Sequence, residues 1–273
     1  MPEAEKAVET LASPEAELAL VRSVAEEAGR IAMRYFGQSP EVWLKEGQSP
    51  VSEADMAIDA FLKDALLSAR PDYGWISEET LDDRAVAARK RFFVVDPIDG
   101  TRAFIAGDDR WCISIGIVED GSPLAGVLEC PARGEMIEAS LGGGARQNGD
   151  TISVALSDPG SPLKISMARQ ALALMPETFR ARVEPYPYVP SLAYRLAMVA
   201  RGEVDGTFVR PNSHDWDLAA ADLILAEAGG AVVTTDGRRL IYGGPTRKQG
   251  ALVAGSGILL DEMLGVVAQT AFG

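Results

Sequence analysis

Apolar positions along the chain change period twice. Between residues 14 and 35, Val21, Val24, Ala28, Ile31 and Tyr35 recur at helical spacing, which predicts a helix burying one face. Its start is marked by Ser13-Pro14 followed by Glu15 and Glu17: a capping hydroxyl, a proline in the first turn, and acids near the positive helix end. Gly37 and Pro40 stop it. A second helix opens at Ser52-Glu53-Ala54-Asp55, which reads as a capping box. Met56, Ile58, Phe61, Leu62 and Leu66 carry its apolar face toward Arg70-Pro71-Asp72.

From there to about residue 155 the pattern is that of strands. GWISEE, FFVVD, WCISIGIV, LAGVLEC and EMIEASL are continuous or alternating apolar runs separated by turn residues such as Glu119-Asp120-Gly121-Ser122-Pro123. Two helices followed by consecutive strands predict a largely antiparallel sheet covered by helices, an α+β arrangement. Beyond about residue 160 strands and helices alternate. LKISMA precedes helices at 176–183 and 191–201, then VDGTFV, the helix DWDLAAADLILAEAG, a strand pair in AVVTTDGRRL, the strand ALVAG and a last helix in LLDEMLGVVAQ. Ser157-Asp158-Pro159-Gly160-Ser161-Pro162 marks a boundary between an N-terminal α+β domain, 1–158, and a C-terminal α/β domain, 159–273.

Composition narrows the chemistry. No apolar run approaches the roughly 20 residues that span a bilayer, and the acidic N-terminus is the opposite of a secretory signal, so a cytoplasmic protein is expected. Cys112 and Cys130 lie in strand-like runs without metal-type spacing and read as buried free thiols rather than a disulfide. A single histidine, His214, rules out a multi-histidine zinc site and speaks against a Ser-His-Asp hydrolase. The 26 basic and 40 acidic residues leave a net charge of −14, which repels nucleic-acid backbones and anionic membranes.

The acids gather at the ends of predicted elements. Glu78-Glu79 follow GWIS, Asp96 and Asp99 follow FFVV, and Asp215 and Asp217 open a helix. Each has an ordinary explanation alone: a helix cap, a solvated strand end, a turn. Together, at strand-to-loop junctions and without histidine or thiolate, they form a hard oxygen set suited to Mg²⁺, Mn²⁺ or Ca²⁺. Pro97 stiffens the turn, the Ile98 carbonyl is a further neutral ligand, and Gly100-Thr101 offers N–H groups for a phosphate oxygen. Four carboxylates are cancelled by two Mg²⁺, and a third leaves about two positive charges to hold a phosphate dianion. An acidic protein can thereby attract an acidic substrate.

Asp96-Pro97-Ile98-Asp99-Gly100-Thr101, the upstream Glu78-Glu79 and the downstream Trp216-Asp217-Leu218-Ala219-Ala220 with Glu227-Ala228-Gly229-Gly230 resemble the inositol monophosphatase family. That family comprises Mg²⁺-dependent, Li⁺-sensitive phosphatases of small molecules. The resemblance runs from the first helix to about residue 255. It implies a layered αβαβα sandwich, a homodimer and a site of two to three Mg²⁺, for which Mn²⁺ can substitute. By the family's motif, Glu78, Asp96 and the Ile98 carbonyl hold the first metal; Asp96, Asp99 and Asp217 hold the second; Glu78 with waters holds the third. Thr101 helps Glu78 activate the attacking water, and the Gly100 and Thr101 N–H groups bind the phosphate.

The leaving-group side is less typical. Lys45 with Ser49-Pro50-Val51-Ser52-Glu53-Ala54-Asp55 is similar to the family's lysine-bearing loop, in a form closer to the branches cleaving 3′-phosphoadenosine 5′-phosphate or histidinol phosphate. Asp55 has two readings, a cap or an assistant to the water. Inositol enzymes of the family often carry a glutamate seven residues before the last aspartate ligand, where Arg210 stands here. Arg210 is either a partner for a second anion or a solvated surface arginine. Pro190-Ser191 replaces a Gly-Ser or Gly-Thr pair lining the family's substrate cavity, and Ser191 still fits that role. Tyr186, Tyr188 and Tyr194 are an aromatic wall or packing, and His214 is a leaving-group contact or structural.

The expected activity is hydrolysis of a small phosphorylated metabolite, myo-inositol 1-phosphate or a similar sugar or polyol phosphate. A 3′(2′),5′-bisphosphate nucleotidase is the alternative, with histidinol phosphatase third. Haloacid-dehalogenase-type phosphatases, which resemble D-x-D-x-T/V, place their acids two apart, whereas Asp96 and Asp99 are three apart. A catalytically retired scaffold would lose ligands that are all present here.

Overall fold

The computed structural model describes residues 11–44, 50–80, 86, 89–157 and 160–270. Lys45, Ser49 and the turn residues Asp158-Pro159 therefore lie outside the described residues. In chain order the elements are α1 (Pro14–Tyr35), β1 (Val42–Leu44), β2 (Pro50–Ser52), α2 (Glu53–Ala69), β3 (Gly74–Ser77), β4 (Arg91–Asp99), α3 (Thr101–Ile105), β5 (Cys112–Glu119), β6 (Ser122–Cys130), β7 (Glu135–Ser140), β8 (Gly144–Gln147) and β9 (Asp150–Thr151). Then follow β10 (Leu163–Ser166), α4 (Arg169–Leu172), α5 (Glu177–Arg180), β11 (Val183–Tyr186), α6 (Leu192–Ala200), β12 (Thr207–Val209), α7 (Asp215–Glu227), β13 (Ala231–Thr234), β14 (Leu252–Gly255) and α8 (Gly257–Val267).

Strands β3 to β9 form one sheet in chain order, antiparallel except for the β3–β4 pair. Its two faces follow the two-residue period of a strand. Phe93, Val95, Ile113, Ile115, Ile117 and Val127 pack under α1 and α2, against Val21, Ala25, Ile58 and Leu62. Phe92, Val94, Cys112, Val118 and Leu128 face α6 and α7, against Leu196, Ala219, Ala220 and Ile224. Burial on both faces explains the continuous apolar runs. A second sheet, β12-β14-β13, turns Val209, Val232 and Ala254 toward α6 and α7, and Phe208, Val233 and Val253 toward α8. The layers run helix, sheet, helix, sheet, helix, as the resemblance implies.

The seating of α7 sets the site. Gly116 and Gly126 are register partners on β5 and β6, and Ala219 and Ala220 of α7 lie over them. A Cβ on Gly126 would stand 2.9 Å from the Ala220 backbone, so only glycine permits this approach. The small residues draw the first turn of α7, and Asp217 with it, onto the sheet beside the end of β4.

Both predicted caps form. The Ala16 N–H donates to Ser13 Oγ, and Ser52 donates from its N–H and hydroxyl to Asp55 Oδ2 at 2.8 and 2.6 Å. Three details differ from the sequence pattern. Met56 is exposed rather than on the buried face of α2, because that face is built on Ala54, Ile58, Leu62 and Leu66. The helix expected over 176–183 shortens to α5, and Val183–Tyr186 is instead a strand paired in parallel with β10. In AVVTTDGRRL only the first half is a strand: Arg238 turns back through bonds to Thr234, while β13 pairs with β14. Cys112 and Cys130 are buried free thiols. Among the described residues no helix is long and apolar enough to cross a membrane.

Candidate active site

Three aspartates meet where β4 ends. In an unbroken strand, residues three apart point to opposite faces. Between Asp96 and Asp99 the register with β5 slips by one residue, from Asp96↔Ser114 to Asp99↔Cys112, and the bulge at Pro97-Ile98 returns Asp99 to the side of Asp96. The Ile98 N–H donates to Asp96 Oδ1 at 3.0 Å, fixing that turn. Asp217, in the first turn of α7, accepts the His214 N–H at 2.7 Å, and the Ser114 hydroxyl donates to the Trp216 carbonyl at 3.2 Å. Carboxylate oxygens of Asp96, Asp99 and Asp217 all lie within 4.8 Å of one another.

Asp96 and Asp99 are buried, Asp217 is half-buried beside them, and all three hold their protons more tightly than usual. Burial, then the charges of Glu78, Asp99, Asp217 and Asp55, hold the Asp96 carboxyl well above the usual carboxylate range. Burial and the Asp99 charge raise Asp217 as well. Asp99 is pushed up to about 6 by burial, checked by hydrogen bonds from Ser191, Ala193 and Leu192 and by the positive charge of Arg195. Three mutually repelling carboxylates, all oxygen donors, fit a hard divalent cation and fit little else.

The expected neighbours assemble around them. A cavity of ≈ 190 Å³ is lined by Glu78, Asp96, Ile98, Asp99, Gly100, Thr101 and Asp217, together with Pro50, Arg102 and Pro190. Glu78 reaches it from the end of β3, anchored by its N–H on the Val95 carbonyl at 3.2 Å. Gly100 holds a left-handed φ of 98° as it caps α3, and a Cβ there would press on Ser191 at 3.1 Å. The Thr101 hydroxyl lies 3.1 Å from the Ile98 carbonyl oxygen and 3.3 Å from Asp55 Oδ1, so its one proton has two acceptors. Asp55 is thus both the cap of α2 and a neighbour of the site through Thr101.

The remaining candidates divide. Ser191 does not line the cavity: it is fully buried, caps α6, and its hydroxyl donates to Asp99 Oδ2 at 2.6 Å. Expected as a substrate contact, Ser191 lies here beneath Asp99, whose carboxylate it supports. Arg210 is exposed and lines a second cavity of ≈ 260 Å³ that shares Asp217 and Pro190 with the first. His214 stacks on Trp216 with ring centroids 4.4 Å apart, in a third cavity on another side of Glu78. Of the three tyrosines only Tyr188 lines the Arg210 cavity; Tyr186 donates to Glu203 and Tyr194 to Glu135. Lys45 lies outside the described residues. Sequence reasoning missed Arg195, although a lone arginine inside the apolar helix LAYRLAMVA was a signal.

The chain has clear relatives among known proteins. The chain is 33% identical over 253 residues to an inositol-1-monophosphatase of Mesorhizobium japonicum, covering 89% of this chain and 92% of that one. It is 31% identical over 239 residues to a histidinol-phosphatase of Chlorobaculum parvum, covering 85% and 90% respectively. Among solved structures, an inositol monophosphatase from Thermotoga maritima superposes with a TM-score of 0.81 at 27% identity, over 93% of this chain and 97% of that one. Residues 14–270 match the model of the inositol monophosphatase family, and the chain belongs to that family of metal-dependent phosphatases, which hydrolyse phosphomonoesters.

Proposed function

We propose that the chain is a Mg²⁺-dependent phosphomonoester hydrolase of small phosphorylated metabolites, acting in the cytoplasm as a homodimer. The observation that carries this reading is the convergence of Asp96, Asp99 and Asp217 within 4.8 Å on a cavity that Glu78 and Thr101 also line. Glu78, Asp96, Asp99, Asp217 and the Ile98 carbonyl are the donors for two to three Mg²⁺, with Mn²⁺ as a substitute. When bound, divalent cations neutralise these carboxylates, draw in a phosphate dianion and supply a water acidic enough to attack phosphorus.

The chain's own groups do the rest. Thr101 holds a hydroxyl at hydrogen-bond distance from Asp55 Oδ1, a short route for a proton leaving the attacking water. Glu78, lining the same cavity, is the second acceptor. The Gly100 and Thr101 N–H groups, where the chain enters α3, orient the phosphoryl oxygens. The buried Asp99–Ser191 contact holds the Asp99 carboxylate in place and leaves its other oxygen free for a cation.

A sugar or polyol phosphate such as myo-inositol 1-phosphate is the first substrate reading. Arg210 favours a second, a nucleoside bisphosphate of the 3′(2′),5′ type, since a guanidinium donates and cannot accept from a polyol hydroxyl. Phosphate release from either ester should require Mg²⁺ and stop in millimolar Li⁺. Purified protein that binds Mg²⁺ yet releases phosphate from neither, nor from any other monoester, would instead be a retired scaffold.

A further inference from the structure

The cavity beside Asp217 is built unlike the metal site. Among the described residues Asp217 is the one acidic side chain lining it, and two arginines share its wall. Arg195, projecting from α6, is only 6% exposed, yet forms no ion pair among the described residues. Its Nη1 donates to the Val189 carbonyl at 3.3 Å, its guanidinium lies 5.3 Å from the centre of the Tyr188 ring, and its Nε has no partner among the described residues. Ser213, 9% exposed and on the same wall, likewise leaves its Oγ without a partner among them. Arg210 rims the opening, exposed, with no hydrogen bond or ion pair among the described residues.

A buried cation that no carboxylate contacts directly, even one whose charge is felt by Asp99, is costly unless an anion joins it. Evolution could have filled this wall with apolar residues, as Leu192, Phe208 and Val209 fill the rest. Instead the wall is rich in donors and poor in acceptors. Three classes of leaving group can be weighed against it. A cationic amino alcohol meets two like charges. A neutral polyol finds few acceptors for its hydroxyl protons. An anion finds two guanidiniums and a hydroxyl. Tyr188, 52% exposed, adds a flat apolar face held by its contact with Arg195.

Resting on the phosphatase reading, we propose that this cavity receives the leaving group of the substrate, and that Arg195, Arg210 and Ser213 recognise a second anionic group on it. Arg210 makes the first, solvent-exposed contact, and Arg195, behind it, moves onto the anion as the leaving group enters. The favoured substrates carry a second phosphate or a carboxylate away from the ester that is cut.

The test uses matched esters. Adenosine 3′-monophosphate is compared with adenosine 3′,5′-bisphosphate, and glycerol 3-phosphate with 3-phosphoglycerate, by kcat/KM with Mg²⁺. The wild type should favour the doubly anionic member of at least one pair by about tenfold or more, the gain of one charge-assisted contact. The pair that shows it tells phosphate from carboxylate. Arg210→Gln and Arg195→Gln should each bring that ratio down toward one, and Arg195→Lys should restore part of it if Arg195→Gln folds poorly. Equal kcat/KM within both pairs, or a ratio untouched by Arg210→Gln, overturns the proposal. Calorimetric binding of the same four esters with Ca²⁺ replacing Mg²⁺ separates the two layers. Discrimination in binding that Arg210→Gln abolishes, without any hydrolysis, keeps the anion site and sinks the phosphatase reading; hydrolysis without discrimination does the reverse.

Discussion

The Ser191 hydroxyl donates to Asp99 Oδ2 at 2.6 Å, and the Ala193 N–H donates to the same oxygen at 2.5 Å. Two donors from the start of α6 therefore clamp one oxygen of a buried carboxylate and leave the other for the Asp96–Asp217 cluster. On the proposed reading, a group so placed acts on a metal ligand rather than on substrate. Ser191→Ala should raise the Mg²⁺ concentration for half-maximal activity by about tenfold and cost about 1–2 kcal/mol of stability. KM for the phosphate ester at saturating Mg²⁺ should barely move. A rise in KM without a change in metal dependence would return Ser191 to the substrate wall.

Asp96 is surrounded by negative neighbours: Glu78, Asp99, Asp217 and Asp55 all raise its proton affinity, on top of burial. Asp96→Asn removes one charge from the repelling set. Activity should fall by at least about a hundredfold. Without added metal the variant should melt at or above the wild type, because apo-state repulsion is relieved. A ligand that binds only the folded state stabilises it in proportion to RT ln(1 + [L]/Kd), so millimolar Mg²⁺ should raise the wild-type melting temperature and raise that of Asp96→Asn much less. Thermal melts with EDTA and with Mg²⁺ check both halves. Equal Mg²⁺ shifts would remove Asp96 from the ligand set.

Thr101 shares its proton between the Ile98 carbonyl, in the β4 bulge, and Asp55, on α2. Thr101→Val keeps the shape and deletes the hydroxyl. It should lower kcat by about a hundredfold, the range of a lost proton-transfer group, with little change in KM. Thr101→Ser should recover most of the loss. If Thr101 and Asp55 act as one unit, Asp55→Asn added to Thr101→Val should cost little more than either alone. Fully additive losses would show that the two side chains work separately.

Where the sequence was legible, the interaction was local or the residue type was costly to misplace. Ser13 and Ser52 cap helices through bonds spanning three residues, so their signals sit side by side in the chain. Each acid alone had an ordinary explanation, but Glu78, Asp96, Asp99 and Asp217 gathered at the ends of apolar elements were readable together as one acid set before any fold was known. What escaped depends on distant packing. Ser191 is 92 residues from Asp99, and only the seating of α6 turns its hydroxyl beneath that carboxylate. Strand β11 carries Pro185 and is followed by Pro187, a texture that reads as turn, and its partner β10 supplies the order. The Asp236-Gly237 turn after β13 resembles a hairpin, yet the ladder forms with β14 further along the chain.

Far from the site, Glu129 on β6 supports a prediction in pH alone. Its carboxyl presses on α1 at Gly29, where a Cβ would stand 2.8 Å from Oε1. Burial is the main cause, and the Glu26 charge the next, that push it up to about 7, while Arg30 offsets them in part. Arg30 already pairs with Glu27, which limits its help. The ordinary value in the unfolded chain is 4.5. Below that value both states hold the proton and Glu129 contributes nothing. Between 4.5 and about 7 the folded state keeps a proton that the unfolded state releases, so stability falls as pH rises. Above about 7 the penalty is complete. Glu129→Gln should therefore be neutral near pH 5 and stabilising at pH 8.5. The gap in proton affinity corresponds to about 3 kcal/mol at most, and partial access of water reduces the expected gain to about 1–2 kcal/mol. Urea unfolding at the two pH values reads it directly. A gain of the same size at both would mean that the substitution acts through packing against Gly29, and not through the charge.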